Sequence, residues 1–219
     1  MSQDSAPEER PGAAAAWTGT EMLVWGGSVL ECCENGGPVP YGDGGVPLCD
    51  TCYGWLLDGG RYDPVADAWT LFGAQGAPDL ADRQDDYVWT GAELIAFGTS
   101  SMDTCADLPV GARFEEATST WRPMSFAGAP NMCRLGSAVW TGVEMAVVGA
   151  NLTDDAWAGG LYDPATNSWR AMSFEGAPEF RWSPSAVWTG SEMIVWGGSL
   201  TIDIEPYHLL FNTGGRYTP

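Results

Sequence analysis

The segment Trp17-Thr18-Gly19 recurs as Trp89-Thr90-Gly91, Trp140-Thr141-Gly142 and Trp188-Thr189-Gly190, at spacings of 72, 51 and 48 residues. Four residues after each Trp stands a glutamate (Glu21, Glu93, Glu144, Glu192), and an apolar run then leads to Gly26-Gly27, Gly98-Thr99, Gly149-Ala150 or Gly197-Gly198. Next come Arg61-Tyr62-Asp63-Pro64, Arg113-Phe114-Glu115, Leu161-Tyr162-Asp163-Pro164 and Arg216-Tyr217-Thr218-Pro219. In the first three units a Trp follows the aromatic by seven residues, at Trp69, Trp121 and Trp169, and a Gly-Ala-Pro stands seven residues later again. Landmarks repeated in fixed order mean one supersecondary unit per repeat, each too small to bury its own apolar surface.

Each unit divides into four short strands. Strand A ends in the first Trp, a Thr-Gly turn leads to strand B at the Glu, the glycines end B, the aromatic lies on C and the second Trp on D. Asp-Pro after the aromatic is turn chemistry, since Pro presets φ and Asp bonds its neighbouring backbone. Successive sheets must stack, which predicts an all-β fold, a radial β-propeller in one domain over 1–219. The units run approximately 13–74, 86–126, 137–174 and 185–219. The last stops after strand C without its outer strand, for a total of fifteen strands. Residues 6–17 align without gaps on 177–188, so the N-terminus does not supply a sixteenth. The expectation is a partial ring, or an arc completed by another chain, with exposed terminal sheets open to self-association.

The run Ala186-Val187-Trp188-Thr189-Gly190-Ser191-Glu192-Met193-Ile194-Val195-Trp196-Gly197-Gly198, with Gly-Gly-Arg-Tyr and a later Trp, resembles the bacterial form of the Kelch repeat. The resemblance covers nearly the whole chain. Unit two departs from it, with Thr99 for the second Gly and Phe114-Glu115 for Tyr-Asp. It implies a Kelch-type propeller, a fold that usually has about six or seven blades.

In such a meander the A–B and C–D turns lie at one end, and the B–C and D–A loops at the other. The B–C loops, roughly 28–58, 99–111, 150–158 and 199–213, vary in length, and variable loops on a rigid scaffold are where binding residues concentrate. They hold Glu31, Glu34, Asp43, Asp50, Asp58, Asp103, Asp107, Asp154, Asp155, Asp203 and Glu205, and no Arg. No cofactor is expected; calcium is the one ion these acids would suit, although no Asp-x-Asp-x-Asp loop is present.

All nine basic residues are Arg and occupy repeat positions. Arg10, Arg83, Arg134 and Arg181 fall six or seven residues before a strand-A Trp, in the D–A linkers. Two readings stand side by side: pairing with a neighbouring blade's carboxylate or backbone, or convergence near the axis to fork a ligand carboxylate. The resemblance implies the second for Kelch domains that recognise acidic peptides. Nine of the 12 Trp are repeat residues, whereas Trp55, Trp157 and Trp182 lie near the variable loops, placed to stack on a sugar ring or to pack on the loop's own backbone.

Cys32, Cys33, Cys49 and Cys52 crowd the first B–C insert and are read as two disulfides stapling a loop without a core, with Cys105 and Cys133 as a third. Six Cys allow 15 pairings. The adjacent pair suits zinc poorly, and no helix follows the Cys-x-x-Cys. Cysteine usage favours a secreted or cell-surface location, although no signal peptide is visible at the N-terminus. A net charge of −20 repels polyphosphates and anionic lipid heads, so neither nucleic acid nor membrane insertion is expected.

The function expected is a non-catalytic module that binds a protein or glycan through the B–C and D–A loops. The alternatives are a carbohydrate-active enzyme, a mutarotase or sialidase-like hydrolase using paired loop carboxylates, and a structural surface protein. Galactose-oxidase-type copper chemistry is disfavoured, because His208 is the sole histidine.

Overall fold

The computed structural model describes residues 1–32, 51–80, 87–99, 109–132, 134–151, 156–201 and 208–219. Their regular elements are strands: β1 (Ala14–Trp17), β2 (Met22–Trp25), β3 (Ser28–Cys32), β4 (Thr51–Trp55), β5 (Gly59–Asp63), β6 (Ala68–Phe72), β7 (Tyr87–Trp89), β8 (Glu93–Thr99), β9 (Pro109–Glu115), β10 (Thr120–Pro123), β11 (Arg134–Trp140), β12 (Met145–Asn151), β13 (Ala156–Asp163), β14 (Ser168–Ala171), β15 (Ser185–Trp188), β16 (Met193–Trp196), β17 (Ser199–Thr201), β18 (His208–Leu210) and β19 (Gly214–Tyr217). They form antiparallel sheets in the orders β1-β2-β5-β6, β7-β8-β9-β10, β11-β12-β13-β14 and β15-β16-β19, plus two separate hairpins, β3-β4 and β17-β18. The four sheets are the four repeat units, and the last has three strands. Among the described residues no helix is long and apolar enough to cross a membrane.

The repeated letters map onto local chemistry. In the A–B turn the Thr amide donates to the Glu carbonyl at 2.9–3.0 Å, and the Thr hydroxyl accepts the Glu amide at 2.9–3.1 Å in all four copies. The Glu side chain pairs with an Arg of its own sheet: Glu21 with Arg61 at 3.7 Å, Glu93 with Arg113 at 2.9 Å and Glu192 with Arg216 at 3.6 Å. In sheet three Leu161 replaces that Arg, and Arg170 of β14 reaches Glu144 at 2.6 Å instead.

Three apolar layers lie between successive sheets. Trp25, Phe72, Phe114 and Trp121 fill the first, Phe97, Met145, Tyr162 and Trp169 the second, and Val148, Met172, Met193 and Val195 the third. One rule generates the first two. The aromatic four residues after the motif Glu packs on the strand-D Trp of the next sheet: Trp25 on Trp121 at 4.8 Å and Phe97 on Trp169 at 4.6 Å. The A strands β7, β11 and β15 approach one another in turn, and β1 approaches β7, so the sheets converge along their A edges.

The C–D turns also tie sheets to neighbouring segments. Asp67 and Asn167, both at positive φ, accept the hydroxyls of Tyr62 and Tyr162 and the backbone amides of Ser2 and Ser125. The Tyr62 hydrogen bond, with the Ser2 amide, holds the Asp67 carboxyl below the usual carboxylate range, and the Thr166 hydroxyl, with two backbone amides, does the same for Asp163. A carboxyl with a lowered folded pKa contributes stability that is present above its unfolded value, about 3.9, and lost as pH falls through its folded value. The urea midpoint is therefore expected to hold from pH 7 to 5 and fall below about pH 4. Asp67→Asn, which copies the residue at 167, is expected to flatten part of that fall; an unchanged acid profile in this variant would show that Asp67 carries none of it.

Candidate functional site

Two of the four B strands end in a corner that turns the chain out of its sheet. Gly26 and Gly27 stand at φ 70° and 91°, and Gly197 and Gly198 at 72° and 90°. Two successive residues in the left-handed region suit glycine. The second also needs its missing Cβ: an added one would lie 2.9 Å from Arg10 Cβ at position 27 and 2.6 Å from the Trp182 carbonyl at 198. Beyond these corners the chain forms β3-β4 and β17-β18. Where Thr99 or Ala150 replaces the second Gly, the ladder instead runs straight on, pairing Thr99 with Pro109 and Ala150 with Trp157. The length variation of the B–C loops thus has two structural forms: in sheets two and three strands B and C take over part of the loop, and in sheets one and four a separate hairpin does.

The linker arginines of these sheets lock the corners. Arg10 Nη1 donates to the carbonyls of Gly26 at 3.2 Å and Asp58 at 2.9 Å, and Arg181 Nη1 to those of Gly197 at 3.2 Å and Thr213 at 2.8 Å. Each Nε donates to the carbonyl two residues upstream, Glu8 or Glu179. Arg10 adds an ion pair with Asp58 at 3.1 Å, whereas Arg181 lies over the Phe211 ring at 4.2 Å. Arg181 is 2% exposed. The structure thus places both guanidiniums on backbone carbonyls at the hairpin roots of the sheets their own linkers enter, not on a neighbouring sheet. Arg134 opens β11 opposite Ala150, and Arg83 lies outside the described residues.

Trp157 donates its indole N–H to the Pro178 carbonyl at 2.9 Å, stacks on Phe174 at 6.4 Å and meets the edge of Phe180 at 5.7 Å. Trp182 lies edge-on to Phe180 at 5.1 Å and exchanges backbone hydrogen bonds with Ser199. Trp182 is thereby held at the foot of β17-β18, and Trp55, at the end of β4, is 46% exposed. Sequence reasoning missed Phe180 and Phe211, which belong to no repeat landmark; their signal is adjacency to Arg181 and to the β17-β18 hairpin. The same hairpin carries Leu209 and Leu210, exposed by 45% and 77%.

Of the loop acids, Asp58 is held by Arg10, and Glu31 lies on β3 opposite Cys52. Cys32 pairs in register with Thr51, and His208 with Thr201. Glu34, Asp43, Asp50, Asp103, Asp107, Asp154, Asp155, Asp203 and Glu205 lie outside the described residues, as do Cys33, Cys49, Cys105 and Cys133, so the disulfide, calcium and paired-carboxylate expectations all fall there. Among the described residues no three His, Cys, Asp or Glu gather as a metal site. No protein-family model matches the chain, and no curated protein matches it either. The sheets and the loop end define an all-β protein of stacked antiparallel sheets with two hairpins raised at one end.

Proposed function

We propose that the four sheets are blades of a Kelch-type β-propeller, and that the chain is a non-catalytic module binding a protein or glycan through its B–C and D–A loops. The observation that carries this reading is the pair of raised hairpins. Each leaves its sheet at a double-glycine corner, each corner is pinned by an Arg, and β17-β18 presents two adjacent exposed leucines. Adjacent apolar side chains held in water on a rigid root favour a partner that covers them. The opposite end offers four near-identical four-residue turns, which support no comparable specificity. Self-association through the free face of sheet four, where Trp196 is 56% exposed, belongs to the same proposal.

The test compares the two ends. A glycan array and a yeast-display protein library are screened with the intact chain, and each binder is re-measured against Leu209→Ser/Leu210→Ser and against Val143→Ser, an exposed residue of an A–B turn. The hairpin variant is expected to bind more than about tenfold more weakly, as loss of an interface anchor does, and the turn variant to bind unchanged. Loss confined to the Val143 variant would place binding at the wrong end for this reading.

A further inference from the structure

Neighbouring sheets are joined by more than their apolar layers. In sheet three, Asn167 accepts the Ser125 amide at 2.8 Å and the Tyr162 hydroxyl at 2.6 Å, and the Trp169 indole donates to the Ser125 carbonyl at 2.8 Å. Ser125 lies in the linker that follows sheet two, so sheet three grips both of its backbone groups. Sheet one holds Ser2 in the same way. Asp67 accepts the Ser2 amide at 2.6 Å and the Tyr62 hydroxyl, and Trp69 donates to the Ser2 carbonyl at 3.1 Å.

The seam between sheets one and two lacks this clasp, because three of its members are changed. By repeat position Phe114 stands for the tyrosine, Ser119 for the Asn or Asp, and Gly73 for the serine. Ser119 keeps the left-handed turn, at φ 53° against 51° for Asn167, but its side chain is a methylene shorter than the acceptor it replaces. The Trp121 indole N–H is buried and has no hydrogen-bond partner among the described residues. A Cβ placed on Gly73 would meet no atom within 4 Å.

Arg61 takes up the connection instead. Its Nη1 reaches across the seam, donating to the Glu116 carbonyl at 3.3 Å and pairing with the Glu116 carboxylate at 3.5 Å. The same Nη1 is shared with Glu21 of its own sheet at 3.7 Å, and the buried Nε has no partner among the described residues. The counterpart Arg113 instead makes two bonds of 2.9 Å to Glu93, both within sheet two. Arg61 and Glu116 are both partly exposed, so added salt screens their attraction. Burial of Trp25, Phe72, Phe114 and Trp121 holds the seam closed, but the hydrophobic effect is non-directional and does not fix one sheet against the other.

We propose that the seam between sheets one and two is a built-in hinge, which opens more readily as ionic strength rises while sheets two and three stay clasped. Boundaries with few fixed hydrogen bonds are where sub-global opening occurs. Sheet one carries the β3-β4 hairpin, and β17-β18 lies beyond the seam on sheet four, so movement there changes the spacing of the two hairpins. The hinge does not depend on either hairpin binding a partner.

The experiment follows hydrogen exchange of the Trp121 and Trp169 indole N–H groups by NMR in the intact, isotope-labelled chain. Each residue is 8% exposed, so each indole exchanges when its own seam opens. Trp121 is expected to exchange about tenfold faster than Trp169, the scale of one or two missing hydrogen bonds. Raising ionic strength from about 0.01 M to about 1 M cuts the Debye length from about 30 Å to about 3 Å. That change is expected to speed Trp121 about threefold, the scale of one partly exposed ion pair, and to leave Trp169 unchanged. Glu116→Gln is expected to speed Trp121 likewise at low salt. Phe114→Tyr, Ser119→Asn and Gly73→Ser together, which copy the clasp of sheet three, are expected to slow Trp121 to the rate of Trp169. Equal rates for the two indoles in the unaltered chain, or a Trp121 rate that salt does not change, would overturn the proposal, and neither measurement needs a variant. So would a folded triple variant in which Trp121 exchanges as fast as before.

Discussion

Trp169→Ala is expected to lower unfolding free energy by about 3–5 kcal/mol, the range for truncating a large buried aromatic. The residue is 8% exposed, packs on Phe97 at 4.6 Å and Tyr162 at 5.1 Å, and donates to the Ser125 carbonyl at 2.8 Å. Its loss removes the Phe97 contact across sheets two and three and leaves the Ser125 carbonyl without that donor. Collapse around the cavity is hindered because both walls are sheets fixed by their own ladders. Urea denaturation followed by circular dichroism measures the change. Trp196→Ala, at the repeat counterpart of the buried Trp25 but 56% exposed, is expected to shift stability within about 0.5 kcal/mol. Equal costs for Trp169 and Trp196 would mean that stacking between sheets is not what holds the fold.

The second large effect is at Gly159, the first glycine before the strand-C aromatic. A Cβ there would lie 2.5 Å from the Val147 carbonyl and 3.0 Å from Phe174 Cζ. The same crowding holds at Gly59, 2.2 Å from the Val24 carbonyl, and at Gly214, 2.1 Å from that of Val195. Because the obstacle is the backbone of strand B, Gly159→Ala must push β12 and β13 apart. The expected cost is about 3 kcal/mol, the upper part of the overpacking range. Gly142→Ala separates this cause from backbone conformation, since φ there is 97° and no atom lies within 4 Å of the added Cβ. It is expected to cost about 1–2 kcal/mol. If the two variants had equal midpoints, close approach would not be the reason for the Gly-Gly pair.

These predictions show how much of the fold was legible in the residues. The Trp-Thr-Gly-x-Glu run forecasts the A–B turn, and the structure makes the same Thr–Glu hydrogen bonds four times. The Gly-Gly before the strand-C aromatic is visible as a motif, yet its reason, a carbonyl of the neighbouring strand, appears only when B and C lie side by side. The arginines show the same division. Their repeat spacing marks them as important, but a guanidinium can fork a ligand carboxylate or a backbone carbonyl with the same geometry. For Arg10 and Arg181 the carbonyls they hold are supplied by the corner that Gly26-Gly27 and Gly197-Gly198 bring beside them.

The sequence by itself determined the four repeat sheets and their strand order. These follow from periodicity and turn chemistry, which act over a few residues at a time. Tertiary structure alone decided which loops became raised hairpins, what Arg10 and Arg181 hold, and that Gly59, Gly159 and Gly214 each face a carbonyl of the neighbouring strand. Each of those depends on atoms from segments far apart in the chain meeting within a few ångströms. Local pattern carries no record of such meetings.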